Sequence, residues 1–188
     1  MHANLLPWTL VSIPAIVLAG TFLHFAYGWS GRRRILAVFT PVNESVWEHL
    51  KMAYWPLMLY IWVAFTLLDP PASLLSATAA GFLVTAALMF GLFYLTVRAA
   101  PDPANTGRLV ADGIIFVIAV AAGQLLSYVL VGRINLDTTI GLVLLLAPGI
   151  ALAFLTFAPP RLPLFQDQLN GTYGVPPSDS GRRSPHSR

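Results

Sequence analysis

The stretch NESVWEHLKMAYWPLMLYIWVAFTLLD, Asn43 to Asp69, decides what kind of molecule this is. Glu44, Glu48, His49 and Lys51 crowd into its opening nine residues, whereas Met52 to Leu68, 17 residues, contain no Asp, Glu, Lys, Arg or His. A helix rises about 1.5 Å per residue and a hydrocarbon layer is about 30 Å thick, so such a run lies at the short end of what crosses a membrane. The crossing therefore begins within or beside the charged residues. Asn43 is read as the N-cap, and Glu44 as the first-turn anion that the helix dipole favours. Asp69-Pro70-Pro71 stops the helix.

Four more apolar windows lie outward from this one. The expected spans are 5–27, 43–68, 74–97, 109–131 and 138–158, which make residues 1–158 a single five-helix transmembrane domain. Pro14 and Pro148 sit inside the first and fifth windows, His24 lies about a turn from the end of the first, and Asp112 lies a turn inside the fourth. Between the first two spans, Ile35 to Thr40 is apolar but too short to cross, which places it at the interface. Residues 159–188 are a tail, and from Pro177 onward its Pro, Ser, Gly and Arg cannot bury enough apolar surface to fold alone.

Composition supports the same fold class. With 56% hydrophobic and 10% charged residues and a mean hydropathy of +0.70, the chain lies outside the range of soluble globular domains. The net charge of +3 does not indicate nucleic acid, because the basic residues sit in short clusters beside apolar spans. Cysteine is absent, which excludes disulfides, thiolate metal sites and cysteine nucleophiles. Of the 11 basic residues, all but Arg133 fall on one side of the five spans, and this bias predicts an outside N-terminus and a cytoplasmic C-terminus. The expectation is an all-α, multi-pass protein of the inner (plasma) membrane. Arg32, Arg33 and Arg34 would attract anionic lipid head groups by about 1 kcal/mol each.

On that topology the ionisable groups gather at one end. His24, Asn43, Glu44, Glu48, His49, Lys51, Arg98 and Asp112 form a candidate cytoplasmic-side polar pocket, because charges in a bundle turn inward, pair, or line a watery cavity. On a continuous helix Glu44 and Glu48, at i and i+4, share one face and His49 points away. Two readings follow. In one, His24, Glu44, Glu48 and Asp112 hold a divalent metal with a position left for water, as a metal-dependent hydrolase would need. In the other, Glu48 pairs with Lys51, Arg98 neutralises Asp112, and His24 donates to a backbone carbonyl. Ser45 and His49 lack a recognisable oxyanion hole, and Ser45 reads as a capping or surface hydroxyl.

Packing signals are present in two spans. Ala77, Gly81 and Thr85, and Ala119, Gly123 and Ser127, have the small-residue spacing that lets membrane helices approach closely. Gln124, near mid-span, is expected to bond across a helix interface.

FLHFAYGWSG at Phe22 to Gly31 and PVNESVWEHLK at Pro41 to Lys51 make the chain resemble a family of small prokaryotic multi-pass membrane proteins classed as a domain of unknown function. The segment from Pro163-Leu164-Phe165 to Gly171-Thr172-Tyr173-Gly174 is similar to that family's ending. The resemblance implies a polytopic inner-membrane protein and supplies no activity. Leu162 to Tyr173 is expected to fold back over the pocket. The leading functional reading is a binding or structural module whose pocket receives a lipid head group or a protein partner. A metal-dependent membrane hydrolase is the alternative, and small-solute transport comes third, since the outer half of the bundle carries few polar groups.

Overall fold

Five α-helices occupy the five apolar windows in the computed structural model, which describes residues 5–100, 102, 105–134 and 136–175. They are α1 (Leu5–Trp29), α2 (Val46–Leu67), α3 (Ser73–Ala99), α4 (Thr106–Leu130) and α5 (Thr138–Phe157). Each is long and apolar enough to cross a membrane, and among the described residues no strand forms. The protein is an all-α bundle with the build of a multi-pass membrane protein. Leu18 on α1 and Ile150 on α5 are 71% and 70% exposed, an outward apolar surface suited to lipid and a liability in water.

α2 is the most buried of the five helices, packing against α1, α3 and α5. Half of its most apolar window is buried, against 17–28% for the other four helices. Tyr54 of α2 donates to the Leu145 carbonyl of α5 at 3.0 Å, and its ring lies so close to Gly149 that a Cβ there would collide with it. α3 and α4 meet at their small residues. A Cβ on Gly81 or Gly123 would strike the other's carbonyl, and the Thr85 hydroxyl donates across the seam to Ala119 O at 3.1 Å. α1 meets α4 through Gln124 Nε2, which donates to Ser12 Oγ at 2.6 Å, so the mid-span amide is satisfied across a helix interface as expected.

The start of α2 differs from expectation. Ser45, not Asn43, is the N-cap: its backbone is extended and its hydroxyl accepts from Glu48 N at 3.3 Å. Asn43 acts one step earlier, accepting from Ser45 N at 2.9 Å and donating to Gly174 O at 3.0 Å. Glu44 consequently precedes the helix. Helical periodicity does not govern it, and the shared face of Glu44 and Glu48 does not form.

The segments outside the spans pack onto the bundle. After α1 the chain makes a 3₁₀ turn at Leu36–Val38, in which Ala37 is fully buried. After α5 a second 3₁₀ turn, Pro163–Phe165, seats Phe165 against the Trp47 ring with centroids 4.7 Å apart. Gln166 and Tyr173 then bridge across a tight turn, held by Asp167 Oδ1 accepting from Leu169 N and Asp167 Oδ2 accepting from Asn170 Nδ2, both at 2.8 Å. The region before Gly174 thus folds back on the start of α2. The tail expected to be unfolded from Pro177 lies outside the described residues.

Candidate functional site

The NESVWEHLK stretch separates two carboxylates by placing one before the helix and one within it. Glu48, in the first turn of α2, points into the protein and is 2% exposed, and Lys51 beside it is fully buried. Lys51 Nζ lies 2.7 Å from Glu48 Oε2 and donates also to Ala37 O at 2.7 Å and Thr40 O at 3.3 Å, which uses all three ammonium donors. Glu48 Oε2 accepts a second bond from Val42 N at 3.1 Å, and Oε1 accepts from the Thr156 hydroxyl of α5 at 2.8 Å. One buried ion pair therefore ties α2 to the preceding loop and to α5. A buried pair is tolerable when most of its hydrogen-bonding positions are filled, and here Glu48 accepts three bonds, although the Thr156 hydroxyl shares its one proton with Leu152 O at 2.8 Å.

Glu44 faces the other way. Its Oε1 lies 3.9 Å from His24 Nε2 of α1, its Oε2 lies 3.4 Å from His49 Nε2 of α2, and the two imidazole centroids are 5.2 Å apart. His49 Nδ1 is 2.8 Å from the Ser45 carbonyl. His24 Nδ1 is buried and has no partner among the described residues, so the expected bond to a backbone carbonyl is not made. The imidazoles are 26% exposed and the carboxylate 42%, which leaves the group reachable from outside. The hydrogen bond with His49 holds the Glu44 carboxyl below its ordinary range, against the opposing effect of burial and with help from the charge of both imidazoles.

This group borders a cavity of about 530 Å³. Val17, Thr21, His24 and Phe25 of α1 form one wall, Met52 of α2 with Met89 and Phe93 of α3 the floor, and Arg108, Asp112, Gly113 and Phe116 of α4 the opposite wall. Gln168 and Leu169 from the folded-back tail line it as well. α1, α2 and α4 share a polarity gradient: His24, His49, Arg108 and Asp112 lie toward the helix ends, with Val17, Met52 and Phe116 deeper, while α3 contributes the apolar Met89 and Phe93. From His24 to Val17 the gradient covers seven residues of α1, about 10 Å.

The expected site residues are thus divided between three places. His24, Glu44 and His49 come together, with donor atoms all within 4.8 Å of one another. Glu48, Lys51 and Asn43 belong to the closed network, where both Glu48 oxygens are committed. Asp112 lies across the cavity, accepting from the Thr96 hydroxyl at 2.7 Å and sitting 3.7 Å from Arg108 Nε. Its cation is Arg108, one helical turn away at i−4, rather than Arg98, which is exposed in the last turn of α3. Thr156 and Arg108 carry roles that sequence reading did not assign. A hydroxyl in the last turn of an otherwise apolar fifth span was the available signal for Thr156, and the i, i+4 spacing to Asp112 was that for Arg108.

A bundle with a deeply buried second helix and a mostly apolar cavity rimmed by ionisable groups at one end defines a polytopic membrane-type protein with a ligand-sized recess. The family model described as "Family of unknown function (DUF6512)" matches residues 1–175, and the chain belongs to that family. No curated protein and no solved structure matches it.

Proposed function

We propose that this protein is an inner-membrane binding module that takes an amphipathic ligand, such as a lipid, into the cavity between α1, α2, α3 and α4. The observation that carries this reading is the polarity gradient: an ionic rim of His24, Glu44, His49, Arg108 and Asp112 above walls of Val17, Met52, Met89 and Phe116. A head group fits the rim and an apolar portion fits the interior, as in small-molecule sites that combine apolar walls with a few placed polar groups. In the membrane this rim lies on the cytoplasmic side, with the N-terminus outside. Supporting that orientation, Arg32, Arg33, Arg34, Arg98, Arg108 and Arg161 all attach to the helix ends around the rim, while Arg133 is at the other end. Exposed Arg32 and Arg33 are placed to meet anionic head groups, and Arg34 lies 6.0 Å from the Phe157 ring centroid.

Native mass spectrometry of protein purified in mild detergent tests the reading. A Cβ at Gly113 meets nothing within 4 Å, so Gly113→Trp fills the cavity from α4 without displacing backbone. The expected result is a bound amphiphile at about one per chain that this variant loses while keeping its helical content. A protein that carries no amphiphile, or one whose retention ignores Gly113→Trp, refutes the proposal. The absence of cysteine lets single introduced thiols report sidedness without background, and labelling of residue 32 only from outside the cell would overturn the orientation.

A further inference from the structure

We infer that His24, Glu44 and His49 form a binding site for one divalent transition metal of the zinc class, with its open coordination position facing the cavity. Two imidazoles and one carboxylate are the donor types that suit zinc and its neighbours, and they leave a fourth place free. Tetrahedral coordination at bonds of about 2.1 Å puts ligand atoms about 3.4 Å apart. Here Glu44 Oε2 lies 3.4 Å from His49 Nε2 and Oε1 lies 3.9 Å from His24 Nε2, and one donor atom from each residue can be chosen so that all three lie within 4.8 Å of one another. Shortening these separations by up to about 1.4 Å through side-chain rotation closes the shell.

Hydrogen bonding points the same way. The Ser45 carbonyl can only accept, so His49 Nδ1, 2.8 Å away, carries the proton. His49 Nε2 is then the ring nitrogen turned toward Glu44 Oε2, at 3.4 Å, and the one available to a metal. A backbone carbonyl fixing the remote nitrogen is the usual support of a metal-bound histidine. His24 adds a second sign. Its Nε2 is beyond hydrogen-bond reach of Glu44 and its Nδ1 has no partner among the described residues, so the ring, packed against Phe25 and His49, keeps its nitrogens available. The three ligands come from α1, the loop before α2, and α2 itself, so the metal would also fasten the end of α1 to the start of the central helix. The inference rests on donor geometry and stands whether or not an amphiphile occupies the cavity.

The test is titration of chelator-stripped, untagged protein in mild detergent with zinc by calorimetry, and with cobalt by visible absorption. His2→Ala and His186→Ala are included in the background so that the terminal histidines do not bind. One zinc per chain is expected, along with the intense visible bands of four-coordinate cobalt. His24→Ala, Glu44→Gln and His49→Ala should each weaken binding at least about 100-fold, since losing an outer-shell partner alone costs about 10–100-fold. Gly113→Trp should leave binding of the metal unchanged, which separates this site from the amphiphile reading. Zinc that does not saturate at one per chain overturns the inference. It fails equally if the three variants retain wild-type affinity while helical content is intact.

Discussion

Glu44 and Glu48 are four residues apart in one motif, and their surroundings are opposite. Glu48 is 2% exposed and its oxygens accept from Lys51, Val42 N and Thr156. Glu44 has a side chain 42% exposed and faces two imidazoles at 3.4 and 3.9 Å across a cavity rim. The first carboxylate is buried and both its oxygens are engaged by the protein. The second is held in position but left short of partners. Charge in a membrane bundle is expensive wherever it is placed, so a motif that spends four ionisable residues must recover the cost in two ways: closing a network, and leaving a site.

The contrast can be broken most forcefully on the closed side. Lys51→Ala leaves an uncompensated buried carboxylate, and Glu48→Ala leaves an uncompensated ammonium, so each should destabilise the bundle by about 3–5 kcal/mol. Unfolding titrations in mixed micelles would measure this. The Glu48→Gln/Lys51→Met double variant should be more stable than the sum of its single changes predicts, with a coupling of about 0.5–3 kcal/mol. Additive losses would mean that the pair is not a unit.

Thr156→Val comes next. It removes the hydroxyl that joins Glu48 to α5, and loss of a hydrogen bond to a charged group costs about 1.5–3 kcal/mol. Ser45→Ala should cost about 1 kcal/mol by removing the cap of α2. If Asn43→Ala proves far more costly than Ser45→Ala, the assignment of the cap to Ser45 is wrong.

The smallest stability effect belongs to the open side. In metal-free protein Glu44→Gln should change unfolding free energy by no more than about 0.5 kcal/mol, because exposed ion pairs contribute little. A loss as large as that of Lys51→Ala would erase the distinction between the two carboxylates. With zinc present the order changes: wild type gains stability with metal concentration, whereas Glu44→Gln does not, and thermal unfolding at several zinc concentrations would show it.

The sequence went far on the fold and only part of the way on the site. Apolar runs long enough to cross a bilayer are a local property of the chain, so the five spans and the gathering of charges near their ends could be read directly. The small residues at 77, 81, 85 and 119, 123, 127 likewise announced a close seam, which Gly81 and Gly123 now make. The direction in which each carboxylate points could not be read that way. Continuous helical geometry from Asn43 joins Glu44 to Glu48 and turns His49 away. The extended backbone of Ser45 breaks that register and releases Glu44 toward His49 and α1.

What the sequence alone determined is the inventory: five membrane-length helices, a charged motif at the head of the second, and His24 and Asp112 close enough to helix ends to share its side of the bundle. Tertiary structure decided the partners. Thr156 reaches Glu48 across 108 positions, Gly174 reaches Asn43 across 131, and Lys51 finds Ala37 across 14, and none of these separations has a helical period to reveal it. Spans are set by local transfer of side chains into lipid. A closed ion pair and an open rim of one carboxylate and two imidazoles depend on which distant carbonyls, hydroxyls and rings the packed chain delivers to two neighbouring carboxylates.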